Sequence, residues 1–110
     1  MTRLVLSPAA LGLLRALIAR TGIPRERVLL SECRSTDWQS LTFEGERHEI
    51  RLRILGPDSA TATERLLDGL AEAEFAIPGQ IVADIAVTGA AQTHADGAIE
   101  LGLEALTISE

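Results

Sequence analysis

The chain has 110 residues, 46% of them hydrophobic and 24% charged, which fits one globular domain and excludes a disordered tail. Its one cysteine, Cys33, rules out an internal disulfide and a cysteine-built zinc site, and its apolar runs fall far short of the roughly 20 residues that cross a bilayer. A net charge of −6, from ten arginines, no lysine and sixteen acids, together with only three aromatic residues, disfavours nucleic-acid wrapping by phosphate neutralisation and base stacking. The opening residues lack the apolar region of a secretory signal, so a cytoplasmic origin without membrane contact is expected.

Ser7 as N-cap, Pro8 at the first helical position and Leu6 with Leu11 as a hydrophobic staple predict a helix over 8–20. Leu11, Leu14, Leu17 and Ile18 form its expected apolar face, and Thr21, Gly22 and Pro24 stop it. A hairpin is predicted over 27–55: a strand at 27–34, a long polar loop at 35–46 containing Trp38 and Phe43, and a second strand with the clearest alternation in the chain. There His48, Ile50, Leu52 and Ile54 point one way while Arg47, Glu49, Arg51 and Arg53 point the other.

Gly56 and Pro57 end that strand, and a helix is predicted over 58–74, capped by Asp58 or Ser59, with Thr61 and Glu64 as a rival capping box. Its apolar stripe is Leu66, Leu67, Leu70 and Ala73. After a Pro78-Gly79 turn, a second hairpin over 80–109 begins with Ile81, Ala83, Ile85 and Val87 on one face. A weakly structured loop at 89–97 ends in an Asp96-Gly97 turn. In the last strand the apolar parity passes from Ile99, Leu101 and Leu103 to Leu106 and Ile108, which predicts a β-bulge near Glu104 or Ala105. The order α-β-β-α-β-β implies an α+β fold: a mostly antiparallel four-stranded sheet with two helices on one face.

Catalytic and cofactor signatures are missing from the pattern. His48 and His94 fall in different contexts and lack a third ligand for a metal, so His48 reads as a hydrogen-bonded core or edge residue. No GxSxG surrounds Ser31, Ser35 or Cys33, and without lysine the usual phosphate-binding P-loop cannot be built. Glu44, Glu46 and Glu49 interleave with Arg47 and Arg51 as a solvated, ion-paired surface. No catalysis, cofactor or metal is therefore expected. Residues 1–55 carry a charge of +3 and residues 56–110 a charge of −9, which would make the molecule a charge dipole if the fold keeps the halves apart. Trp38 and Phe43, aromatic residues in a polar segment, are candidate interface anchors.

Several short motifs carry a resemblance to a known family. The run Ser35-Thr36-Asp37-Trp38-Gln39-Ser40 is followed by Gly45-Glu46-Arg47-His48 leading into the second strand, then by an Ala- and Leu-rich helix. Phe75-Ala76-Ile77-Pro78-Gly79, the Asp96-Gly97 turn and Leu103-Glu104-Ala105-Leu106-Thr107 complete the pattern. Over residues 28–109 the chain resembles the tail-completion or tail-terminator-like proteins of long-tailed phages and gene transfer agents, although its segment between first helix and first strand is shorter than theirs.

The resemblance implies a non-catalytic structural protein that assembles as a ring, typically a hexamer, at the head-proximal end of a tail tube. There it would end tube polymerisation and join the tail to the head. Its partners would be other copies of itself, the major tail-tube protein and a head–tail connector or stopper, with DNA only as passing cargo in the lumen. Its location would be the bacterial cytoplasm during assembly and then the particle. The expected interface is Asp37, Trp38 and Phe43, with Arg47, Arg51 and Arg53 meeting acids of a neighbouring subunit. Two other readings stay open: another head–tail connector protein, and a small α+β ligand-binding or regulatory module.

Overall fold

The computed structural model describes residues 5–110. It contains α1 (Pro8–Thr21), β1 (Val28–Gln39), β2 (Glu44–Ile54), α2 (Ser59–Leu67), β3 (Gln80–Thr93) and β4 (Ile99–Ser109), with short 3-10 turns at Arg25–Arg27 and Leu70–Glu72. The fold is α+β in the order α-β-β-α-β-β. All strand pairings are antiparallel and the sheet runs β1-β2-β4-β3, so β4 inserts between the two hairpins' outer strands.

The Ser7 side chain accepts the Ala10 N–H, Pro8 opens α1, and Gly22, at φ 71°, closes it. The buried face of α1 is centred on Leu13 and Leu17 with Ala9, Ala10 and Thr21, one step around the helix from the expected stripe. Leu11 lies toward solvent, while Leu14 and Ile18 flank the core. The small residues decide this rotation: Ala9, Ala10 and Gly12 let the helix approach its neighbours closely. A Cβ on Gly12 would sit 2.6 Å from Ile77 Cγ2.

The second helix is shorter than predicted, because α2 ends at Leu67. Gly69 takes a left-handed φ of 64°, and the chain continues as a 3-10 turn rather than as helix to residue 74. Ala62, Thr63 and Leu66 supply its buried face, with Leu70 reaching the core from the following turn. Asp58 occupies the N-cap position without a side-chain capping bond and pairs instead with Arg27. Thr61 and Glu64 lie inside the helix and form no box. Arg20, in the last turn of α1, donates from Nε to the Leu66 carbonyl at 3.1 Å and from its guanidinium to the Asp68 carbonyl. One helix thereby satisfies orphan acceptors at the end of the other.

Both helices contribute to a core whose sheet side is Ile50, Leu52, Ile54, Leu101, Leu103 and Ala105. The predicted alternation of β2 holds. In β4 it also runs unbroken: the β2–β4 register has no shift, so the expected bulge at Glu104 or Ala105 is absent. Leu106 and Ile108 simply belong to the opposite face. The irregularities are in the edge strands, between Val82 and Asp84 and between Thr88 and Gln92 of β3, and between Leu30 and Glu32 of β1. The first of these breaks the predicted alternation of β3, turning Ile81 out onto the uncovered face while Ile85 is buried. Bulges in unpaired edges increase local twist and blunt them against further pairing.

The longest difference from expectation is the segment 35–46, which is strand and not loop. β1 continues to Gln39 and β2 starts at Glu44, leaving only residues 40–43 as the turn. Ser40 organises that turn: its N–H donates to the Phe43 carbonyl at 2.8 Å, and its Oγ accepts the Phe43 N–H at 3.1 Å. Likewise β3 reaches Thr93, shortening the loop predicted at 89–97, and Asp96 and Gly97 form the expected turn.

Candidate interaction surface

The helices cover one face of the sheet. Direct cross-strand partners share a face, so the register defines the other, open face row by row. At one end stands the row Trp38, Gly45, Ile108, Ile81, one residue from each strand. The next row is Thr36, Arg47, Leu106, Asp84, and the one beyond it Arg34, Glu49, Glu104, Ala86. Gly45 is required here by the backbone, since a Cβ on it would lie 1.9 Å from the Thr107 carbonyl oxygen of β4.

The central and far rows are ionic. Arg47 pairs with Glu104 at 3.3 Å, Arg51 with Glu100 at 3.4 Å, Arg53 with Asp96 at 2.8 Å, and Arg34 more loosely with Glu49 at 3.6 Å. His94 reaches Glu100 at 3.0 Å. Two carboxylates are held below their ordinary range. The Ala98 N–H and then Arg53 act on Asp96, and the His94 hydrogen bond followed by Arg51 acts on Glu100. Basic residues of β2 and acids of the second half of the sequence thus lie side by side and not on separate surfaces. Arg47, Arg51 and Arg53, expected to meet acids of a neighbouring subunit, have acid partners in the same chain: Glu104 and Glu100 on β4, and Asp96 in the turn before it.

The other expected interface residues gather at the opposite end. Trp38 is half-buried in β1 beside Gly45, Asp37 stands directly across from Glu46, and Phe43 is 53% exposed in the turn. Leu41, fully exposed at the tip, and Ile81, 51% exposed on β3, were not anticipated as surface residues of this end. For Ile108 a signal existed: Leu106 and Ile108 share the parity of Glu100 and Glu104, which marks an apolar patch on a charged face once the strand is read as regular, whereas the irregularity between Val82 and Asp84 hid the face of Ile81. For Leu41 there was none, because an isolated leucine in a polar segment carries no period.

At the root of this end, His48 is fully buried between three strands. Its Nδ1 lies 2.7 Å from Ser35 Oγ and its Nε2 2.8 Å from Thr107 Oγ1, while Thr107 Oγ1 donates to the Glu46 carbonyl at 3.4 Å. That last bond fixes the direction of the chain: Nε2–H donates to Thr107, and Ser35 donates to Nδ1. Burial pushes the His48 pKa down, opposed by the negative charge of Glu46. Cys33, packed beside the core on the same side, has its thiol pKa pushed up by burial.

Among the described residues, no group of three or more His, Cys, Asp or Glu side chains is placed to hold a metal ion, and no helix is long and apolar enough to cross a membrane. The depressions at Gly102 and beside Asp37 and Glu46 are shallow and open to solvent. Comparison of the chain with family models, with curated proteins and with solved structures returned no match.

Proposed function

We propose that this protein is a structural assembly component of the tail-terminator type, forming a ring that ends a tail tube and joins it to the head of a phage or gene transfer agent. The observation that carries the reading is the sheet end defined by Trp38, Phe43 and their neighbours, where large apolar side chains stand exposed beside an otherwise ion-paired surface. Exposed aromatic and aliphatic anchors on a rigid hairpin are what a docking surface needs, and a solvated sheet face does not. The short motifs that resemble the family, Ser35 to Ser40 and Gly45 to His48, build that same end. A net charge of −6 per subunit also suits a lumen through which DNA slides without sticking.

The in-chain ion pairs narrow the proposed interface. Arg47, Arg51 and Arg53 keep the open face ordered, and contact with partners falls to Asp37, Trp38 and Phe43. The test is the solution mass by light scattering, alone and with a tail-tube protein, followed by imaging. Rings, or tubes capped at one end, support the reading. A monomer that ignores the tube protein removes it and leaves the ligand-binding module, which a small-molecule shift in melting temperature would support.

A further inference from the structure

We infer that the hairpin tip of one copy, residues 40–44, docks head to tail on the exposed side of α1 of a second copy. The inference deepens the proposed function and rests on it in treating the chain as one that assembles with itself. Two surfaces of matching chemistry carry it.

The first surface is the tip. Leu41 is fully exposed and Phe43 is 53% exposed, and both stand on the turn that Ser40 holds through its N–H and its Oγ. Little conformational freedom is therefore lost when they are covered. Glu44 and Glu110 line the same depression as these two side chains. Among the described residues neither acid has an arginine partner, and the Glu44 carboxylate accepts only the Gln39 side-chain amide, at 3.3 Å. The tip is thus apolar and acidic.

The second surface is the outer side of α1. Leu11, Arg15 and Ala19 recur along it at helical spacing and are exposed, with Leu14 and Ile18 half-buried beside them. Arg15 has no acid partner among the described residues, and no residue of α1 is acidic. Arg20, the other base of the helix, is spent on the Leu66 and Asp68 carbonyls. Arg25 and Arg65 are also unpaired, but each has an acid next to it in the chain, Glu26 and Glu64. The exposed side of α1 is therefore where apolar surface and an uncompensated positive charge coincide.

These surfaces complete one another. A tip-to-tip contact brings acids together and a contact of α1 with α1 brings arginines together, whereas the mixed pairing turns both repulsions into an attraction. Leu41 is left uncovered by its own chain, so its contact belongs to another molecule. What a foreign partner would have to bring, an apolar helix face with a free base, this chain already presents. A contact between two different patches is heterologous: it passes from copy to copy and closes into a ring when the rotation per subunit permits.

Exchanging charge between the two surfaces tests this. The full chain and the variants Arg15→Glu and Glu44→Arg are followed by light scattering over a range of concentrations. The wild type is expected to associate, and to do so less as salt is raised. Each single variant weakens association about tenfold or more. Mixing the two variants restores it, because each offers the surface that the other has lost, and the double variant associates like the wild type. Both positions are exposed, and circular dichroism spectra matching the wild type verify that the variants fold.

A wild type that stays monomeric at about 1 mM overturns the inference. So does association that either variant leaves untouched, or a loss that mixing does not repair. A monomer whose Glu44→Arg variant loses binding to a tail-tube protein assigns the tip to that partner instead. Rescue by mixing in a protein that fails to cap tail tubes leaves the inference standing and removes the tail reading. Capping that neither variant impairs does the reverse, so the two failures are distinguishable.

Discussion

The two faces of this sheet are made by the same strands and held by different physics. On the covered face, Ile50, Leu52, Leu101 and Leu103 are excluded from water by two helices, and each is worth the apolar surface it hides. On the open face, alternate residues of those strands form ion pairs that stay solvated, with side chains such as Arg47 and Glu104 more than two fifths exposed. Stability should therefore reside on one face, and the other should be free to change its chemistry without unfolding the protein.

That asymmetry is open to direct attack. The largest effect is expected from Leu52→Ala or Leu101→Ala, each removing about 2–5 kcal/mol of unfolding free energy, measured by denaturant titration. A loss under about 1 kcal/mol at both sites would show that the covered face is not the stabilising one.

His48→Ala should cost about 1–3 kcal/mol, since it empties a buried site and removes the donor to the Thr107 hydroxyl, which keeps only its bond to the Glu46 carbonyl. The same residue gives a pH dependence. Burial lowers the folded-state pKa of His48, so the unfolded chain takes up that proton first. Stability is then full above the ordinary histidine pKa and falls as pH drops through about 6.5. Thermal melts of the wild type between about pH 7 and pH 5 should show this slope, and His48→Gln should flatten it. Asp96 and Glu100, with lowered pKa values, act in a lower window: their contribution is present above the usual carboxylate range and is lost as pH falls below it.

On the open face, Arg51→Gln should cost no more than about 1 kcal/mol, because the pair is partly solvated and screened. A loss comparable to Leu52→Ala would erase the contrast between the faces. Smallest of all is the turn: Leu41→Ser should change stability by less than about 0.5 kcal/mol in the same titration, while altering any binding that uses the tip.

Much of this fold was legible in advance, and the places where it was not share a cause. β2 was readable because His48, Ile50, Leu52 and Ile54 face a core while arginines face water, and a two-sided environment writes a period of two. The extension from Ser35 to Gln39 was not, because β1 projects past the helices there and no side chain of that stretch is buried. A strand wet on both sides has no period to detect. β3 was misread for a different reason: the irregularity between Val82 and Asp84 changes phase inside a run of apolar residues, and Ile81, Ala83, Ile85 and Val87 alternate in sequence without sharing a face. In β4 the opposite error arose, where Leu106 and Ile108 suggested a bulge and instead mark apolar residues on a regular strand's open side.

The candidate surface was half legible. Trp38 and Phe43 stood out as aromatics in polar surroundings, and both lie at the exposed end of the sheet. The arginine row was found, while its individual in-chain partners, Glu104, Glu100 and Asp96, were not, because the pairing of β2 with β4 across the sheet cannot be read from local pattern.

The order β1-β2-β4-β3 has a consequence for how the chain reaches this structure. The two hairpins are joined only along the β2–β4 seam, whose partners are 45 residues apart at Ile54 and Ile99 and 63 apart at Gly45 and Ile108. During synthesis the first hairpin emerges with the inner edge of β2 vacant and its apolar face waiting for a strand not yet made. Closing such distant contacts is slow compared with forming local ones. Assembly of the central sheet is therefore a late event for the newly made chain, and until it occurs the edge of β2 is open to any passing strand, including that of a neighbouring nascent copy.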